Sequence, residues 1–228
     1  MKPLIALSTD FGSDSTYVAQ MKGVLLSALP ECRIVDVGHS LAVHDVRAAE
    51  VHLRSVAFAF PLGVVHLVVV DPGVGSERAA IAVDVRGTRF VGPDNGVLGR
   101  YATMQGAQVV RLDREHLWRR PTAPTFHGRD LFAPVAAELA AGAALHSVGS
   151  QFDSARPSML PLPILNGSDA QGEILGVDRF GNLTTNIPVA FGHRYRVRVD
   201  GNSVTWVNTY SDVDVGELVS LRGSDGYL

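Results

Sequence analysis

Residues 64–70 form an aliphatic run that ends in Val68-Val69-Val70, with Asp71-Pro72-Gly73 directly behind it. A run of this kind predicts a strand buried on both faces, which is the habit of parallel sheets covered by helices. The flanking sequence fits that architecture. Residues 3–8 are apolar and end in the turn Thr9-Asp10-Phe11-Gly12. Residues 17–29 follow with helical spacing (Val18, Met21, Leu25, Leu26, Leu29) and stop before Pro30. Residues 33–37 read as a strand and residues 46–60 as a helix ending before Pro61. Alternation of strand and helix predicts an α/β fold with a parallel sheet.

Residues 81–85 and 88–91 are expected to pair as a hairpin across Arg86-Gly87, and residues 131–141 to form an Ala-rich helix closed by Gly142. Past that point the character changes. Residues 151–168 are rich in Pro and Ser and read as a linker. Beyond them only short alternating runs occur, such as Tyr195-Arg196-Val197-Arg198-Val199, which predict a small, mostly antiparallel β domain. The expected organisation is an N-terminal α/β domain over 1–150, a linker over 151–168 and a C-terminal β domain over 169–228.

Composition narrows the function classes. The 228 residues are 46% hydrophobic, enough for a sizeable core. With 20 basic against 23 acidic residues the formal charge is -3, so no basic excess points to nucleic acid or to an anionic membrane surface. No apolar run approaches a membrane span or a signal peptide. The one cysteine, Cys32, can form neither an internal disulfide nor a metal site and reads as a buried apolar side chain. Together these predict a soluble protein of the cytoplasm.

Five polar clusters fall at strand ends or in loops, where α/β sheets place their ligand sites. They are Thr9-Asp10-Phe11-Gly12, the segment from Asp71 to Arg78, Pro93-Asp94-Asn95-Gly96, the segment from Thr125 to Asp130, and Asp178-Arg179-Phe180-Gly181-Asn182. Each has an ordinary structural reading: Asp-Pro-Gly and Asp-Asn-Gly are turn sequences. Asp71 at the mouth of a buried strand reads as a turn-capping carboxylate paired with Arg78 or as a functional one. His127 reads as a residue leading into a helix or as an acid-base group. Arg129-Asp130 is expected to be a local cap and ion pair. Gly73-Val74-Gly75 lacks the spacing of a nucleotide phosphate loop. His44 and His52, two helical turns apart, are poorly spaced for one metal, and His39 lies in a loop. No metal is expected.

As a set, the five clusters resemble the S-adenosylmethionine (SAM) hydroxide adenosyltransferase family, which is related to the fluorinases and chlorinases. The resemblance covers Leu4 to Leu228, with the motifs in the same order, the last extending as Asp178-Arg179-Phe180-Gly181-Asn182-Leu183-Thr184-Thr185-Asn186-Ile187. It implies hydrolysis of SAM to adenosine and methionine without a cofactor. It also implies a homotrimer, with each site between the N-terminal domain of one subunit and the C-terminal domain of the next. Asp71, Arg78 and His127 would form a triad that activates water. Asp10 would hold the ribose hydroxyls, and Asp178 and Asn182 the amino-acid group of methionine. Phe180 and Tyr210 would lie near the adenosyl part, with Phe11, Asn95, Thr125, Phe126, Gly128 and Ser224 as further substrate contacts.

The residue types suit that chemistry. A sulfonium departs as a neutral thioether, so the difficulty is a weak nucleophile that must be aligned and must lose a proton. His127 or Asp71 can accept the proton, and Arg78 can orient Asp71. Halogenating relatives carry Tyr at the positions of Asp71 and His127, and a Ser at that of Gly128, so water is the expected nucleophile. His44 stands where they place a Trp. The motif that begins at Ser224-Asp225-Gly226-Tyr227-Leu228 continues for another strand in the family, where it adds adenine contacts, so the expectation is either a sequence trimmed at its end or an incomplete adenine pocket. Three other readings remain: a non-catalytic or slow SAM- or adenosine-binding module, a metal-dependent nucleoside hydrolase using Asp71 and His127, and turn chemistry alone.

Overall fold

The computed structural model describes residues 2–166, 169–189 and 196–228. The chain divides into two compact units, 1–159 and 160–228.

The first unit is built on a seven-stranded sheet. Its strands are β1 (Leu4–Thr9), β2 (Arg33–Gly38), β3 (Val65–Val69), β4 (Ala80–Val85), β5 (Thr88–Pro93), β6 (Gln108–Arg111) and β7 (Ser150–Gln151), in the order β2-β1-β3-β5-β4-β6-β7. Four neighbours are mutually parallel: β1 with β2, β1 with β3, and β3 with β5. The aliphatic run is the buried centre, every residue of β3 being inaccessible. The hairpin across Arg86-Gly87 forms and turns the rest of the sheet antiparallel, with β4 on β5, β6 on β4 and β7 on β6.

Helices cover both faces. On one, α1 (Thr16–Ala28) and α4 (Ala133–Ala140) pack Val18, Met21, Leu25, Val135 and Leu139 against Ile5, Leu7, Leu67 and Val69. On the other, α2 (Val46–Val56) and the single turn α3 (Gly99–Ala102) pack Ala49, Leu53 and Tyr101 against Val68, Val70, Val83 and Phe90. Ser15 caps α1 by accepting from Tyr17 N, and Asp45 caps α2 by accepting from Ala48 N at 2.8 Å. Leu26, read from its spacing as inward-facing, is exposed, because it sits about 100° round the helix from Leu25. The helix expected to reach Phe60 ends at Val56. The following carbonyl, of Ala57, accepts from His66 Nε2 at 3.0 Å, and Pro61 disfavours helical geometry just before it. Cys32 is buried, and burial raises its thiol pKa.

The helix expected over 131–141 begins earlier and differently. Gly128–Phe132 is a π-helix, closed by Ala133 N donating to Gly128 O, and it runs directly into α4. Residues 151–159, read as linker, are tied down along the first unit. Phe152 N donates to Val109 O, Arg156 N to Asp94 Oδ1 at 2.8 Å, and Met159 N to the buried Glu50 at 2.9 Å. Gly99 permits that course, since a Cβ there would lie 2.3 Å from the Pro157 carbonyl carbon.

The second unit consists of small sheets. Antiparallel pairs join β8 (Ile164–Asn166) to β9 (Asp169–Gln171), β10 (Ile174–Val177) to β11 (Leu183–Thr185), and β12 (Val197–Val199) to β13 (Asn202–Trp206). A short β14 (Val219–Ser220) lies parallel to β13. Of the alternating segment at 195–199, Tyr195 lies outside the described residues. No helix among the described residues is long and apolar enough to cross a membrane.

Candidate active site

Sheet order decides where the site falls. From β1 the chain moves outward to β2, then returns across β1 to β3. The connections leave the carboxyl ends of β1 and β3 in opposite directions, and the gap between them is the crevice that open α/β sheets use for ligands. Asp10 follows β1 and Asp71 follows β3 by two residues. Both line a pocket of about 170 Å³ with Phe11, Val43, His44, Thr125, Phe126 and His127 among its other walls.

The Asp71–Arg78 loop folds back on itself. Val74 N donates to Asp71 O, Ser76 N to Gly73 O, and Ser76 Oγ to Gly73 O at 2.7 Å. Gly75 takes φ 78°, a left-handed geometry, and a Cβ there would press to 3.0 Å on Pro124 O. The fold-back returns Arg78 to Asp71. Nε donates to Oδ1 at 2.8 Å, Nη2 donates to Oδ2, and both side chains are only 5% exposed. Nη1 donates to Ala79 O at 3.2 Å, and the guanidinium carbon lies 5.3 Å from the centre of the Phe132 ring.

The π-helix brings in the third residue. His127 immediately precedes it, and His127 Nδ1 lies 2.9 Å from Arg78 Nη2. Asp71, Arg78 and His127 therefore form one connected group. The imidazole pKa is held below its usual value by burial and by the Arg78 charge, against the opposing pull of Asp71 and Asp130. π-turns recur at functional sites because the extra residue re-aims a side chain.

Asp10 Oδ2 accepts from His44 N at 2.8 Å, with His44 at φ 63°. Behind it, Thr9 Oγ1 lies 3.0 Å from His39 Nδ1, and His39 Nε2 lies 2.9 Å from Asp36 Oδ1. His39, in the loop after β2, is thus anchored against the end of β1 beside Asp10, and Gly12 N donates to its carbonyl at 2.7 Å. Phe11, Tyr17 and Phe126 form a triangle of edge-to-face rings with centroids 5.1–6.0 Å apart. Gly128 closes the floor beside His127. Arg129 and Asp130 form the expected local pair, Nε to Oδ1 at 2.6 Å, with Asp130 fully buried.

Asn95 is not among the pocket walls. Its Nδ2 donates to Val70 O at 2.8 Å and its Oδ1 accepts from Val97 N, so it secures the chain after β3. The site residues of the second unit are described within that unit. Asp178 Oδ1 accepts from Phe180 N and Asn182 N, and Oδ2 from Asn182 Nδ2 at 2.8 Å. These bonds, the Asn182 side chain first, hold its carboxyl below the usual range. Phe180 is 84% and Tyr210 61% exposed, and Ser224 lies in an exposed turn.

The residues missed by sequence reasoning are Val43, Val69 and Val74, which line the pocket, and His44 in its role as a backbone donor to Asp10. A positive φ at a non-glycine residue leaves no signal in the sequence.

The chain matches the SAM hydroxide adenosyltransferase N-terminal domain over residues 5–149 and the corresponding C-terminal domain over residues 172–228. It belongs to the SAM hydroxide adenosyltransferase family. The (R)-S-adenosyl-L-methionine hydrolase of Salinispora tropica is 39% identical over 99% of this chain and 88% of its own length. The enzyme of the same name from Thermus thermophilus is 38% identical over 100% and 91%. A fluorinase from an Actinoplanes species is more distant, at 27% identity over 99% and 89%. In structure, an uncharacterised conserved protein from Thermotoga maritima superposes with a TM-score of 0.88 at 36% identity, covering 98% of this chain and 90% of that one. The chain is thus similar along nearly its whole length to the named hydrolases.

Proposed function

We propose that this protein hydrolyses SAM to adenosine and L-methionine by attack of water on the ribose C5′. The observation that carries the reading is the connected Asp71–Arg78–His127 group in the crevice between β1 and β3. The full-length similarity to proteins named SAM hydrolase supports it. A carboxylate, a guanidinium and an imidazole suit the handling of a water proton. They suit a dehydrated halide poorly, because a buried carboxylate repels one. Arg78 fills the space between Asp71 and His127 and engages both, which argues against a metal held by those two residues.

Asp10 is assigned the ribose hydroxyls, since one carboxylate accepts two such donors and His44 N takes only part of its capacity. Asp178 and Asn182 are assigned the ammonium and carboxylate of methionine, with Phe180 and Tyr210 near the adenosyl part. The exposure of Asp178, Phe180 and Tyr210 on this chain supports a homotrimer in which a neighbouring copy completes each site. A cytoplasmic setting, with no cofactor, belongs to the same reading.

The test is incubation with SAM in H₂¹⁸O, with chromatography for adenosine and methionine. The expected result is ¹⁸O in the 5′-hydroxyl and no 5′-halo product when fluoride or chloride is added. Asp71→Asn should still bind SAM but release almost no methionine. Absence of adenosine from the wild-type protein overturns the reading, and full activity in Asp71→Asn overturns the triad assignment.

A further inference from the structure

The contact between Arg78 and His127 settles the protonation pattern of the imidazole. A guanidinium carries donors and no acceptor. At 2.9 Å from Arg78 Nη2, His127 Nδ1 must therefore accept, and its lone pair is used. A neutral imidazole has one N–H, so the hydrogen sits on Nε2. Nε2 has no hydrogen-bond partner among the described residues, and His127 lines the pocket. A proton added at Nδ1 would set two donors against each other beside an existing cation. A proton cannot be added at Nε2, which already carries one.

Asp71 differs. Arg78 occupies one site on each carboxylate oxygen. A carboxylate offers about four acceptor sites, so each oxygen retains one. Building on the hydrolysis reading above, we infer that His127 serves as a hydrogen-bond donor through Nε2–H and that the proton of the attacking water passes to the Asp71 carboxylate. The water oxygen has two lone pairs. Nε2–H engages one and leaves the other aligned on C5′, while Asp71 accepts from one O–H. As the O–C5′ bond forms, the C5′–S bond breaks and its electron pair leaves on sulfur, which becomes the neutral thioether of methionine. One water proton goes to Asp71 and then to solvent; the other remains on the 5′-hydroxyl of adenosine. Arg78 keeps Asp71 oriented and fixes the tautomer of His127. The charged and titratable groups acting on His127 are Arg78, Asp71 and Asp130, with Asp10 and His44 in the same pocket.

Two measurements test this. The first is ¹⁵N NMR of the full-length wild-type protein without substrate, with the His127 ring assigned through its own backbone. The expected spectrum is the neutral Nε2–H tautomer throughout pH 6–8, the span around the ordinary histidine pKa of about 6.5. An Nδ1–H tautomer, or an imidazolium at neutral pH, overturns the inference. The second is the pH profile of kcat/KM for wild type and His127→Gln, whose amide nitrogen can stand where Nε2 stood. A positioning donor predicts a fall of roughly tenfold, the worth of one loosened hydrogen bond, with the acid limb kept at the same pH. Disappearance of that limb would show that His127 takes the proton and overturns the inference. A wild-type protein that makes no adenosine would sink the hydrolysis reading instead, while the NMR result on the tautomer would still stand.

Discussion

Arg78 reaches back seven residues to grip Asp71 through a fork, Nε to Oδ1 at 2.8 Å and Nη2 to Oδ2, while the same Nη2 faces His127 Nδ1 at 2.9 Å. A planar fork spans both partners where an ammonium cannot. Arg78→Lys should keep the charge and the fold but lower kcat by about 10²-fold, the usual scale for losing an aligned electrostatic group. Steady-state adenosine release checks this, with circular dichroism confirming the fold.

Asp130 is fully buried and accepts from Arg129 Nε and Nη2, from Arg119 Nη1 at 3.3 Å and from Ala123 N at 2.8 Å. Burial works to raise its pKa, but the Arg129 hydrogen bond and the Ala123 N–H bring the carboxyl below its usual value. Asp130→Asn places an amide among these donors. The expected cost is about 3 kcal/mol, read as a lower midpoint in urea unfolding.

His66 supplies a pH dependence of stability. It is completely buried, stacks on Phe90 with centroids 5.2 Å apart, and donates Nε2–H to Ala57 O, while Nδ1 has no partner among the described residues. Burial lowers its pKa to about 4. The fold accommodates the neutral ring, so the contribution is whole above the unfolded value near 6.5 and is lost as pH falls toward 4. That loss is on the order of 3 kcal/mol. His66→Gln, which does not titrate, should unfold with a shallower dependence between those limits. Equal slopes in urea titrations of the two proteins would contradict the assignment.

Gly128 has no room for a side chain. A Cβ would meet Met21 Sδ at 3.2 Å, Val69 Cγ1 at 3.3 Å and Phe126 Cε2 at 3.4 Å. Gly128→Ala should cost about 1 kcal/mol of stability from overpacking. Because His127 is the adjacent residue, kcat should fall by about tenfold through its displacement, with little change in KM.

The parts of this molecule legible in the sequence are those set by local pattern. The run through Val68-Val69-Val70 identifies the central strand, whereas the polar clusters are ordinary turn sequences one by one, and it is the family resemblance of the whole set that joins Asp10, Asp71, Arg78 and His127. The antiparallel half of the sheet is less visible, because β6 and β7 have only four and two residues, too few for a period to show. The engagement of Asn95 with Val70 O and Val97 N is a contact between backbone and side chain that the turn sequence Asp-Asn-Gly does not distinguish from ligand binding. The left-handed His44 and the tie of residues 156–159 to Asp94 and Glu50 depend on tertiary packing that overrides local preference.

The π-turn at Gly128–Phe132 amounts to a register offset. An α-helix through the same residues would hold one fewer in its turn, and each residue advances a helix by about 100°. Deleting a single residue between Gly128 and Phe132 would let the segment relax into a continuous helix with α4, its core face intact. The ring that meets Arg78 would then swing roughly a quarter-turn away from the crevice. The catalytic geometry is thus encoded in chain length at one place as much as in side-chain identity, and a variant keeping Asp71, Arg78 and His127 but lacking that extra residue would fold around a silent site.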